Sequence, residues 1–207
     1  MRNSTIALTL IAAVSVTACA TRSSESEINQ RTEAVFNQAF EHSGRPDMVA
    51  RLRQDEEQRV CTQYRNAPPP DVGAALEKAQ LATIQYPASG KLMGDWKTGE
   101  KIAQDGYGMR FTDTDTKRPN GGNCYGCHRL SPQELSFGTL GPSLYQFGKL
   151  RGSTADIQRY VYGKVYNPQA FVACSNMPRF GHNQVLTSEQ IAHVVALLLD
   201  PDSPVNK

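Results

Sequence analysis

The chain has 207 residues, 22 of them basic and 20 acidic, for a net charge of +2, and only 39% are hydrophobic. It has no block of like charge and no interleaving of aromatic with basic residues, which excludes nucleic acid as an expected partner. Twelve prolines and 16 glycines predict a loop-rich fold, and no repeat of fixed period is visible.

The first element is an export signal. Arg2 is the one charge before an apolar run over 6–16, too short to span a bilayer and long enough for the hydrophobic part of a signal peptide. Val16-Thr17-Ala18-Cys19 reads as a lipobox, with Cys19 lipidated and becoming the mature N-terminus. Ala18-Cys19-Ala20 also reads as an ordinary small-residue cleavage site. Both readings place the mature chain in the periplasm, the first with a membrane anchor, where disulfides survive. No later stretch is apolar enough to span.

Residues 20–35 are polar and rich in Ser and Glu, and read as a tether. Helical spacing runs over 29–66, broken by Pro46, through Val35, Phe40, Met48, Val49, Leu52 and Val60. Ala67-Pro68-Pro69-Pro70 is a stiff stop, and 71–84 predicts another helix. The expected boundaries are a signal at 1–18, a tether and helical arm at 19–90, and a main domain at 91–207.

In that domain Asp95 is a plausible N-cap, with Trp96, Gly99, Ile102 and Ala103 on one helical face. Gly99 costs about 1 kcal/mol against alanine inside a helix, so it predicts a close crossing. The partner is the last helix, where Thr187 and Gln190 form a capping-box pattern ahead of Ile191, Val194, Val195 and Leu198. A polar loop lies between Tyr107 and Asn123, and residues 154–165 predict a helix. His193 falls off the apolar face and reads as solvated.

The chemistry concentrates in Cys124-Tyr125-Gly126-Cys127-His128. Cys-x-x-Cys-His is the attachment pattern for a c-type haem: two thiols add to the two vinyl groups, and the histidine ligates the iron. Cys-x-x-Cys alone also occurs in redox dithiols and in halves of zinc sites. A zinc site needs a second ligand pair, whereas Cys19, Cys61 and Cys174 stand singly. Crossing terminal helices with this motif just after the first form the skeleton of class I cytochrome c, so the expected fold is all-α around one haem c. Met177, in an irregular Asn-Met-Pro-Arg-Phe-Gly segment, is the expected second axial ligand, with His182 the alternative. Gly141-Pro142-Ser143-Leu144 matches the turn whose proline carbonyl accepts from the proximal imidazole. Ile157, Tyr160, Val161 and Val165 are available as pocket wall, and Tyr145, Tyr162 and Tyr166 as hydrogen-bond donors to propionates. With Cys19 and the haem pair spoken for, Cys61 and Cys174 are the candidate disulfide, the alternatives being free thiols or a bond from Cys61 to a partner.

The haem segment, 138–145, Tyr166-Asn167-Pro168-Gln169-Ala170, the run from Cys174 to His182 and the tail from Leu199 to Asn206 together resemble the SoxX family of monohaem cytochromes. The resemblance covers roughly 91–207. It implies an electron-transfer subunit, paired with a SoxA-type cytochrome, of the L-cysteine S-thiosulfotransferase that couples thiosulfate to a cysteine of the SoxYZ carrier. It also implies that the active cysteine belongs to SoxA, that this chain alone is non-catalytic, and that a small c-type cytochrome takes the electrons onward. The other reading of the residues is a free-standing extracytoplasmic electron carrier. The arm and the lipobox depart from the shorter SoxX proteins.

Overall fold

The computed structural model describes residues 23–41 and 45–207; Cys19, the signal segment and His42 lie outside the described residues. The described residues are helical, without a strand. No helix among them is long and apolar enough to cross a membrane.

The described residues fall into two compact units, 23–41 and 45–207. The first contains helix α1, Glu25–Phe40, where a tether is expected over 20–35. The reason is local: Ser24 accepts from Glu27 N while the Glu27 carboxylate accepts from Ser24 N, a capping box that satisfies the free donors of the first turn. No residue of α1 is buried.

The second unit begins inside the expected arm. Its first helices are α2 (Pro46–Arg51), α3 (Glu56–Gln63) and α4 (Pro70–Leu81). Both α2 and α4 start at proline, which loses no bond in the first turn. Asp55 caps α3 by accepting from Gln58 N. Buried Arg45 donates to Asp113 O and pairs with Asp47, tying the chain ahead of α2 to the polar loop.

Helix α5 (Trp96–Gln104) crosses the last helix, which we number α8 (Ser188–Leu199). Eight residues of α8 are buried. A Cβ on Gly99 would stand 2.1 Å from His193 O, so only glycine permits this approach. His193, expected to be solvated, is half-exposed and makes a bond as well: its Nδ1 accepts from Asp95 N at 2.8 Å, capping α5 from α8. Between them lie α6 (Phe147–Arg151) and α7 (Ala155–Tyr166). Thr154 caps α7, as its pattern suggests. The tail satisfies the carbonyls at the end of α8, which have no partner within the helix. Ser203 Oγ donates to Leu197 O, and Asn206 Nδ2 to Leu198 O and Asp200 O.

Candidate functional site

A sharp change of direction carries the chain from α5 into the cysteine motif. Asn123 adopts φ +45°, a left-handed conformation in which asparagine is several-fold enriched. The chain then closes one tight turn at Cys124–Gly126. Cys127 N and His128 N both donate to Cys124 O, at 3.1 and 2.9 Å. Cys124, Cys127 and His128 are therefore held within one turn of backbone.

The segment that follows lies along this turn. Gly138 N donates to Tyr125 O, Gly141 N to Cys127 O and Leu144 N to Arg129 O, each at 2.8 Å. Glycine is required twice here. A Cβ on Gly138 would meet Gly126 O at 2.0 Å, and one on Gly141 would meet His128 Cε1 at 2.1 Å. With the Gly141 backbone pressed against the ring, Pro142 O lies 2.7 Å from His128 Nδ1. A carbonyl can only accept, so this bond places the proton on Nδ1 and leaves the lone pair on Nε2. An imidazole fixed this way has its tautomer and ring plane set for binding a metal through Nε2.

Cys124 is set against the ionisation that dithiol chemistry asks of an attacking thiol. Cys124 packs against the core, and burial pushes its thiol up to about 12. A redox dithiol needs its attacking sulfur ionised near neutral pH. Among the described residues no three His, Cys, Asp or Glu side chains gather as metal ligands.

Met177 is partly buried and packs against the same core that Cys124 and Leu144 border. The backbone on either side of it is tied down: Gly181 N and His182 N donate to Tyr166 O, and Met177 N donates to Ser175 Oγ. His182, the alternative ligand, differs from His128 in that its Nδ1 faces an amide donor, Asn167 Nδ2, which leaves the ring proton on Nε2. Its Nδ1 is 3.3 Å from Thr83 Oγ1 and 3.5 Å from Asn167 Nδ2, and burial, reinforced by Arg179, lowers its pKa. Val161 and Val165 are buried, whereas Tyr160 points outward against Phe171. Tyr162 OH donates to Gln85 O and Tyr145 OH to Lys207 O, each at 2.7 Å, so both hydroxyls are committed to backbone rather than left for an incoming group. Tyr166 packs beneath Gly181.

Helices α3 and α4 of the second unit lie against the Met177 segment, joined to it by one cross-link that the cysteine count leads one to expect and by polar contacts that no local sequence pattern predicts. Cys61 of α3 is bonded to Cys174, with Cα atoms 5.4 Å apart. Asp55 Oδ2 accepts from Arg179 Nη2 at 2.5 Å, Glu77 accepts from Ala173 N, and Asn167 donates to both Gln80 and Thr83. Glu57 is 3% and Arg179 6% exposed. Neither oxygen of Glu57, nor Nη1 of Arg179, has a hydrogen-bond partner. The Cys61–Cys174 bond is the pairing expected from the cysteine count, and it is the signal in the sequence for this corner.

No protein-family model matches the chain. It is similar to an uncharacterized lipoprotein of Aquifex aeolicus (strain VF5), 38% identical over 157 residues that make up 74% of this chain and 73% of that protein. At that identity and coverage, this chain belongs to the same family as the Aquifex lipoprotein.

Proposed function

We propose that this chain is a class I cytochrome c: one haem c held by Cys124 and Cys127, with His128 and Met177 as axial ligands. We further propose that it serves as the SoxX-type electron-transfer subunit of a complex coupling thiosulfate to a carrier-protein cysteine. The observation that carries the reading is the His128 Nδ1 to Pro142 O contact of 2.7 Å. An isolated histidine on a loop has no need of a fixed tautomer, whereas a ligand does. The residues suit the group in two further respects. Cys124 is poised for burial as a thioether rather than for ionisation, and Gly141 keeps the ring face clear of any side chain. The name of the Aquifex relative supports lipidation at Cys19 and a membrane-anchored, periplasmic location.

When bound, the haem supplies a one-electron acceptor. Cys124 and Cys127 would hold it covalently, with His128 and Met177 at the iron. Joining thiosulfate to a thiol as R–S–S–SO₃⁻ releases two electrons, one more than a single haem accepts. The second must go to a partner haem or leave between steps, which supports pairing with a SoxA-type cytochrome. Leu135 and Leu140, 92% and 89% exposed beside the haem turn, support a protein partner at that face.

Denaturing, alkaline pyridine spectroscopy of protein made with haem-attachment machinery should show one covalent haem, lost in the Cys124/Cys127 double alanine variant. Met177→Ala should abolish the weak far-red band of ferric iron bound to a thioether. Wild-type protein without covalent haem would end this reading. Turnover of thiosulfate and SoxYZ should require the SoxA-type partner; turnover by this chain alone would disprove the subunit role.

A further inference from the structure

The segment carrying Met177 is gripped at both ends by a single element. At Cys174 it is bonded to Cys61 of α3. At Arg179 it is held by Asp55, the N-cap of the same helix. Between these grips, among the described residues, Ser175 engages the backbone: its hydroxyl accepts from Met177 N, its carbonyl from Gln169 Nε2, and its own N–H donates to Val172 O. Arg179 is buried while Asp55 is 41% exposed at its side chain, so the pair is not a fully screened surface contact. Asp55 uses its two oxygens for different purposes. Oδ1 accepts from Gln58 N at 2.9 Å and starts α3, whereas Oδ2 accepts from Arg179.

We propose that Asp55 is a positioning residue for Met177: through Arg179 it fixes the downstream end of the ligand segment, while the Cys61–Cys174 bond fixes the upstream end. This rests on the haem reading above. A methionine thioether is a weak ligand, and its residence on iron depends on how little freedom the segment has to swing away. Burying Arg179 also means that breaking its pair removes the hydrogen-bonded partner of a buried charge, so the grip is not lightly released. The second carboxylate facing Arg179, Glu57, makes no hydrogen bond of its own, which leaves Asp55 as the directional contact.

The division of labour within Asp55 supplies the test. Asp55→Asn and Asp55→Ser both retain an oxygen able to cap α3, but neither offers a carboxylate to Arg179. The holoprotein should keep its covalent haem and its helical content in both variants. The far-red thioether band should weaken, and cyanide should displace Met177 from ferric protein at least about tenfold faster, the low end of an ordinary coupling between sites. Asp55→Glu should restore much of both. Arg179→Gln, which removes the charge that Asp55 holds, should resemble Asp55→Asn. Variants that melt at lower temperature yet show the wild-type band and cyanide rate well below melting would overturn the proposal, leaving Asp55 a cap alone. If the wild type lacks covalent haem or the thioether band, the haem reading itself has failed, and the positioning role falls with it.

Discussion

At the scale of single residues, Glu57 is the side chain most at odds with its surroundings. It is 3% exposed, and neither oxygen is hydrogen-bonded. Burial pushes its carboxyl from an ordinary 4.5 up to about 7, against the pull of Arg179. A raised carboxyl means the folded chain holds a proton that the unfolded chain has released. Stability is therefore full below pH 4.5 and falls as pH rises toward 7, by about 3 kcal/mol for a shift of this size. Glu57→Gln keeps the shape and removes the titration. In urea denaturation it should match the wild type near pH 4 and exceed it at pH 8. Equal stability of the two at pH 8 would show that the carboxylate finds compensation there.

At the scale of elements, the crossing of α5 and α8 rests on Gly99, whose Cβ would stand 2.1 Å from His193 O. Because the obstacle is backbone, no rotamer change relieves it. Gly99→Ala should force the helices apart and cost about 1–3 kcal/mol despite its better helix propensity, read as a lower denaturation midpoint at unchanged slope. A neutral or stabilising result would mean that the helices do not meet there. This crossing is legible in the sequence because a glycine amid apolar helical spacing weakens its helix unless a second backbone needs the room. Asp95, Thr154 and Thr187 are legible as caps on similar grounds: each places an oxygen where free N–H groups need one. The α1 cap is equally visible in Ser24-x-x-Glu27, but the polar composition around it argues for a tether. Less can be read for contacts distant along the chain. His193 reads as solvated because helical spacing describes one helix, not the α5 terminus lying above it. Arg179, Asp55 and Glu57 are charged residues in ordinary polar strings, and only the fold brings them together. In the candidate site, Cys124, Cys127, His128 and Pro142 are legible because their chemistry is set by short spacings. The commitment of Tyr145 and Tyr162 to backbone carbonyls is not.

For the molecule as a whole, the decisive link joins Cys61 to Cys174 across 113 residues. It encloses α4, α5, the cysteine motif and α7, so the unfolded chain loses much freedom while the folded chain bears the cross-link at the junction of arm and ligand segment. For a loop of that length the chain-entropy argument gives about 4–5 kcal/mol, although native cross-links deliver anywhere from about 2 to 5 when removed. The bond does not hold the arm alone. Asp55, Glu77, Gln80 and Thr83 all reach residues between 167 and 182, and buried Tyr162 donates to Gln85 O. Loss of the cross-link should therefore lower stability more than it disturbs structure. The Cys61→Ser/Cys174→Ser double variant should unfold at lower urea by an amount within that range, with helical content near that of wild type at low denaturant. Non-reducing peptide mapping of the wild type should recover the two cysteines as one linked pair. Two independently alkylated peptides from intact protein would remove the cross-link, and the arm would then depend on its hydrogen bonds and the Asp55–Arg179 pair.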